Sequence, residues 1–209
     1  MSGQTTRNKI TEAALMLFNG QGLQNVTLQQ IANEASISVG NLAYHFHDKE
    51  QILKKIGNLI SADMDKILRL WKNLPGLLDF DNQLTRLYHL LDTYSFYFLD
   101  ILEIKRLYPY IHAIQQEHIA NFILQLQQWF ESNMKRELIL ELKSEQTRKI
   151  AEMIWFISSF WMTKKKILEK EEFFEGAFKD MIWQQIRPFM TDQGINEFEI
   201  IVYPGLIRE

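Results

Sequence analysis

Along most of the chain apolar residues recur every three or four positions, the period of an α-helix. Ile10, Ala13, Ala14, Leu17 and Phe18 form an i, i+3, i+4, i+7, i+8 stripe, which predicts an amphipathic helix over roughly 6–20. The "NGQG" at 19–22 then supplies glycines able to take the left-handed conformation that ends a helix. Thr27 with Gln30 reads as a capping box, the hydroxyl accepting from a free backbone N–H while the Gln side chain reaches back. It opens a second helix with Leu28, Ile31, Ala32 and Ala35 inward. Ser36, Ile37 and Ser38 interrupt the pattern, and Ser38 is a good N-cap for a third helix with Leu42, Ala43 and Phe46 inward. Asp48 with Gln51 repeats the capping box. A fourth, long helix follows to about Asn73, with Ile52, Leu53, Ile56, Leu59, Ile60 and Ile67 on one side.

The "NLPGLLDFDNQ" at 73–83 reads as a linker, because Pro75 and Gly76 cannot continue a helix. Further helices are expected at about 82–97, 99–107, 109–138, 145–168 and 172–190. After Gly194 the pattern changes: "INEFEIIVYPGLIRE" has the β-branched and aromatic content of a strand. A lone strand is unstable, so this tail is expected to pack as a short extended arm on its own subunit or a partner. Apart from that arm the fold class is all-α.

With 209 residues, 46% hydrophobic and 23% charged, the chain has room for one large domain or a small one fused to a larger. The absence of cysteine removes disulfides, thiolate zinc sites and a cysteine nucleophile. The first residues, "MSGQTTRNKITEAA", lack the apolar core of a signal peptide. The most apolar run, Met153–Met162, is ten residues long, against the ~20 needed to span a bilayer. A cytoplasmic protein without a membrane partner is expected. Residues 1–55 hold five Lys and Arg against four Asp and Glu, and the rest 18 against 22. That asymmetry has the sign of a nucleic-acid-contacting N-terminus but is small.

A short helix, a three-residue turn and a second short helix, flanked by one helix before and a long one after, make a helix-turn-helix, whose second helix enters the DNA major groove. Spacing alone leaves open that this is one of the helix pairs any bundle contains. The residues are more specific. "TLQQIANEASISVGNLAYHFHDKEQIL" at 27–53 closely resembles the DNA-binding signature of the TetR family of bacterial transcription regulators. The matching features are a Thr cap, an Ile-Ala pair, a Ser-x-Gly-x-Leu recognition helix, Tyr-His-Phe, and a Lys-Glu opening the next helix. The resemblance covers about the first fifty residues and implies a helix-turn-helix domain at 1–50 and an effector-binding and dimerisation domain at 51–209.

By that resemblance the Ser38–Gly40 segment, including Val39, and Asn41 face base edges, where an Asn amide pairs with adenine and valine methyls meet a thymine methyl. Gly40 lets the backbone approach the duplex with no Cβ in the way. Thr27, Tyr44, His45 and Lys49 match positions that contact phosphates. The chain departs from the family at Ala43 and Leu23, where aromatics are frequent.

The resemblance also implies that the remaining helices bind a small effector and form a homodimer that reads a near-palindromic duplex. The 145–168 helix is apolar on every side around Phe156, Phe160 and Trp161, and a helix hydrophobic all round must be covered all round. A second subunit is the expected cover for one face, with Phe174, Phe178, Met181 and Ile182 from the next helix. Effector contacts are expected among Tyr88, His89, Tyr97, Glu103, Tyr110, His112, Trp129 and Trp155, since ligand sites are apolar with a few placed polar groups. Plain core is the competing reading for any one of them. No metal site, cofactor or catalytic residue is read. The leading function is a sequence-specific regulator, a repressor released by a small apolar or aromatic effector. Two alternatives are a ligand-binding dimer without DNA binding and an all-α enzyme, for which no catalytic motif is present.

Overall fold

Helix α1 (Ser2–Gln21) forms where the first stripe runs, burying Ile10, Ala13, Ala14 and Phe18. It ends at Gly22, whose φ of 80° is left-handed and whose N–H bonds the Phe18 carbonyl at 2.9 Å. The structure, a computed structural model, describes residues 2–73, 75–168 and 174–206. The Thr27–Gln30 capping box opens α2 (Leu28–Glu34), and Ser38 caps α3 (Val39–His45). Helix α4 (Lys49–Asn73) starts on Asp48, whose carboxylate accepts from the Gln51 N–H at 2.9 Å. The Gln51 side chain returns to the N–H of His47 instead of the cap residue. Helices α5 (Leu77–Thr93), α6 (Ser95–Leu99), α7 (Ile101–Leu107), α8 (Pro109–Lys135), α9 (Ser144–Leu168) and α10 (Glu175–Ile186) follow. The start expected at 172 lies outside the described residues.

The chain divides into two compact units, Met1–Ala62 with Tyr94–Gln115, and Asp63–Thr93 with Gln116–Glu209. In the first, Leu42 and Phe46 from the recognition segment pack with the buried residues of α1 and α2, and the Arg7 guanidinium lies 4.9 Å over the Phe46 ring. Polar contacts tie α1 and its following turn to α6 and α7. Asn19 Oδ1 accepts from Ser95 Oγ at 3.1 Å and from the Phe96 N–H at 3.0 Å, and Asp100 Oδ2 accepts from the Leu23 N–H at 2.7 Å. Gln24 also bonds Glu103.

The second unit is built on aromatic rings. Phe80 stacks on Trp129 at 4.4 Å and meets Trp71 and Trp183 edge-on or tilted at 5.5 and 5.3 Å. Helices α5 and α10 are also joined by a buried ion pair, Lys179 Nζ to Asp81 Oδ2 at 2.6 Å, and Asp81 Oδ1 accepts from Trp183 Nε1 at 2.9 Å.

Four expectations are corrected. The expected linker is shorter, because Leu77, Phe80 and Leu84 bury one face of a helix that already begins at Leu77. Ala43 is exposed, since a seven-residue helix turns only Leu42 and its cap Phe46 inward. Leu59 is partly exposed while Met64, Leu68 and Trp71 complete the buried face of α4. The tail is not an extended arm: α11 (Asp192–Glu197), a π-helical turn (Phe198–Val202) and α12 (Tyr203–Leu206) make it helical. Phe198 and Val202 lie four apart on one face and are buried, with the Phe198 ring 5.0 Å from Trp183. Tertiary packing overrides the β-branched propensity of Ile200, Ile201 and Val202. The last three residues of that tail lie outside the described residues. Among the described residues there is no strand, only an isolated bridge between Ile139 and Met190, and no helix is long and apolar enough to cross a membrane.

Candidate nucleic-acid interface

The turn between α2 and α3 depends on Ser36, which adopts φ 56°, left-handed and uncommon for a residue with a Cβ. That reversal brings Ser38 to the head of α3, where its hydroxyl accepts from the Asn41 N–H at 3.1 Å. The helix then sorts its residues. Leu42 is fully buried, Val39 and His45 are half-buried, and Gly40, Asn41 and Tyr44 face outward, Tyr44 at 86% exposure. The rings of Tyr44 and His45 meet edge to face at 5.1 Å.

Gly40 is unexplained by the fold. Its φ is not left-handed, and a Cβ there would meet nothing nearer than Ser38 Oγ at 4.0 Å. A helical glycine with open space above it costs about 0.5–1 kcal/mol against alanine, and nothing inside the fold calls for it.

Thr27 is exposed at the head of α2, with its hydroxyl donating to Gln30 Oε1 at 2.8 Å and accepting from the Gln30 N–H at 3.3 Å. The capping box thus satisfies the Gln30 N–H within the first turn of α2. Lys49 has a different disposition from the one its position suggests. Its ammonium donates to the carbonyls of Leu23 and Val26, both at 2.9 Å, and burial pushes its pKa down. It stitches the start of α4 to the α1–α2 turn. Nothing local signals this, because the accepting carbonyls lie more than twenty residues away in sequence.

The effector candidates divide between the two units. Tyr97 is buried, His112 and Glu103 are half-buried, and Tyr110 is exposed beside Lys54 in the first. Burial drives the Tyr97 phenol far above its ordinary pKa. In the second, Trp129 is fully enclosed in the aromatic cluster, Tyr88 packs on Phe178 at 5.7 Å, His89 lies 3.5 Å from Glu175, and Trp155 is half-buried. The interface candidates also separate. Trp161, Phe178 and Ile182 belong to the subunit's own core and Met181 is half-buried, whereas Phe156, Phe160 and Phe174 are exposed. The rings of Phe156 and Phe160 meet at 4.6 Å, tilted by 30°, on α9, with Met153 exposed one turn before them.

The family model described as bacterial regulatory proteins, tetR family, matches residues 10–56, and that of a bacterial transcriptional repressor matches residues 60–198. The HTH-type transcriptional regulator AcrR of Shigella flexneri is 32% identical over 74 residues, covering 35% of this chain and 34% of that protein. The chain thus spans about a third of the length of this curated relative. A crystal structure of a TetR-family transcriptional regulator from Marinobacter aquaeolei VT8 shares the fold with a TM-score of 0.85 at 22% identity, over 93% of this chain and 96% of that one. That of a gamma-butyrolactone receptor, an ArpA-like protein, shares it at 0.77 and 14% identity, over 99% and 98%. With one match alone running over residues 60–198, more than half of the sequence, the chain belongs to the tetR family of bacterial regulatory proteins.

Proposed function

We propose that the protein is a cytoplasmic, dimeric, sequence-specific DNA-binding regulator, a repressor released by a small apolar or aromatic effector. The observation that carries this reading is the outward face of α3, where Gly40, Asn41 and Tyr44 are displayed on a helix held by the buried Leu42 and Phe46. Two copies of α3 set ~34 Å apart read successive major grooves of a near-palindromic duplex. Asn41, Val39 and the Ser38–Gly40 backbone supply base contacts; Thr27, Tyr44 and His45 supply phosphate contacts.

The homodimer is supported by the exposed Met153, Phe156 and Phe160 on α9 and by Phe174, an apolar surface of the kind a second subunit covers. The effector is supported by buried polar atoms that lack a hydrogen-bond partner among the described residues: Trp71 Nε1, Trp129 Nε1 and Gln125 Oε1 in the second unit, Tyr97 OH and Gln115 Oε1 in the first. Each such atom costs about 1–3 kcal/mol, and a bound small molecule with matching donors and acceptors would recover it. The receptor for gamma-butyrolactone among the structural relatives is consistent with a small, weakly polar ligand. Effector and DNA would favour different subunit arrangements, which requires differential affinity for the two.

Selection from a pool of randomised duplexes tests the reading. The expected result is enrichment of an inverted repeat whose affinity falls steeply with salt. A folded dimer, stripped of small molecules, that enriches nothing at low salt would leave a ligand-binding dimer without DNA binding.

A further inference from the structure

The candidate interface is short of fixed positive charge. From Ile10 to Asp48 the sequence has no lysine or arginine, so α2, α3 and the turns beside them hold none. Three of the cations nearest in sequence have partners of their own. Lys49 donates to two backbone carbonyls, the Arg7 guanidinium lies over the Phe46 ring, and Lys54 pairs with Glu50 at 2.8 Å. Lys9 lines a surface groove together with Glu12 and Glu34. A duplex carrying one negative charge per ~1.7 Å of axis is bound chiefly through cations. In the recognition segment the side chains able to become cations are His45, in the last turn of α3, and His47, in the turn that follows.

His47 is the more telling of the two. Its side chain is 87% exposed, and its Nδ1 lies 3.4 Å from Asp48 Oδ2. Asp48 is the cap of α4, with its carboxyl held below the usual range chiefly by the Gln51 backbone N–H. An ionised carboxylate beside Nδ1 orients the ring and leaves Nε2 for an outside acceptor, and a protonated imidazole donates from both nitrogens. The other charged and titratable groups on α1 to α3 and the first two turns of α4 are Arg7, Lys9 and Glu12 of α1, Glu34 of α2, Tyr44 of α3, and Glu50, Lys54 and Lys55 of α4; beside them is the Tyr108 hydroxyl, which burial and the charges of Glu50 and Asp48 push up.

We propose that His47 is a phosphate ligand of this interface alongside His45, and that DNA binding is therefore linked to proton uptake by the two imidazoles. Each takes up one proton on binding and donates an N–H to a phosphate oxygen, so affinity rises as pH falls. The inference rests on the DNA-binding reading and adds to it a response to pH.

The test is the salt dependence of binding of the full chain to a short labelled duplex at about pH 6 and about pH 8. The slope of log K against log salt should be steeper at the lower pH, by about 0.9 for each engaged imidazole. His47→Gln should remove roughly half of the difference and His45→Gln with His47→Gln all of it, with melting curves at both pH values showing that the variants fold. His47→Lys, which fixes the charge, should raise affinity at the higher pH and flatten the pH response. Equal slopes at both pH values for the unmodified protein, or a pH effect that survives the double substitution, would overturn the inference while leaving DNA binding in place. Absence of duplex binding at either pH in low salt would overturn both.

Discussion

The Asp100 carboxylate at the head of α7 accepts a hydrogen bond from the Leu23 backbone N–H at 2.7 Å across 77 residues of sequence. It satisfies a donor in the α1–α2 turn that no helix serves. Replacing Asp100 with Ala leaves that part-buried N–H unpaired, at a cost of about 1–2 kcal/mol given the partial exposure. For a protein of this size a loss of several degrees in melting temperature is expected. Asp100→Asn, which keeps an acceptor oxygen, should lose less than half of that. Equal losses for the two variants would mean that the oxygen is not what matters at this position.

Gly40 separates stability from binding. Because a Cβ there meets open space, Gly40→Ala should stabilise the fold by about 0.5–1 kcal/mol through backbone entropy. The same methyl would stand between the α3 backbone and a duplex, and affinity for the selected operator should fall about tenfold or more, the scale of one lost base contact. A variant that melts higher and binds as well as before would remove the close-approach argument.

The Lys179–Asp81 pair lies almost entirely out of solvent, and both ends have further partners: Trp183 Nε1 on Asp81, and Thr85 and Glu175 near Lys179. Breaking such a pair from one side strands a buried charge, so Lys179→Met should cost about 3–5 kcal/mol in a denaturant titration. Adding Asp81→Asn removes the stranded charge yet keeps an acceptor for Trp183, and should recover a good part of the loss. Additive losses in the double variant would show that the two side chains do not act as a pair.

Most local features of the sequence survive into the structure, although the Gln51 side chain closes on His47 and not on the Asp48 cap. The Thr27–Gln30 box and the Ser38 cap are hydrogen bonds between residues three apart, so spacing alone determines them. The recognition helix and its exposed Asn41 and Tyr44 followed from the same short range. Features that need a partner far along the chain were not legible. The ammonium of Lys49 is claimed by carbonyls at 23 and 26, and the tail from Phe198 turns helical because Trp183 offers its ring a place to pack. Among the interface candidates, periodicity marked α9 and α10 as apolar on several sides. It could not tell Trp161 and Phe178, which pack on each other at 5.3 Å, from Phe156 and Phe160, which face outward.

His118 gives a pH dependence of stability. Burial pushes its pKa below the ordinary value, with the charges of Asp65 and Glu117 opposing that shift. The unfolded chain takes up a proton as pH falls through about 6.5, while the folded chain resists until a lower pH. The unfolded state therefore binds more protons in that window, and stability must rise with pH across it. Below the depressed folded value the penalty is complete. His118→Gln should flatten this part of the curve when urea midpoints are compared at about pH 5.5 and 7.5; an unchanged difference between the two midpoints would assign the dependence to other groups.

The rings of Phe156 and Phe160 pack against each other at 4.6 Å and remain 51% and 48% exposed on a single chain. Covering the outer half of each ring removes roughly 100 Å² from water. At about 25 cal/mol per Å² this contributes ~2–3 kcal/mol per ring. In a two-fold interface built on this pair the four rings would supply on the order of 10 kcal/mol, comparable to the cost of immobilising two subunits. Phe156→Asp with Phe160→Asp removes that contribution and sets four carboxylates against one another. Sedimentation should therefore show a monomer that melts cooperatively, since neither ring belongs to the subunit's own core. Operator affinity should fall more steeply than for any single change on α3, because each half-site must then be bound without the effective concentration that the partner provides. A dimer that persists at micromolar concentration in this variant would place the subunit interface elsewhere on the second unit.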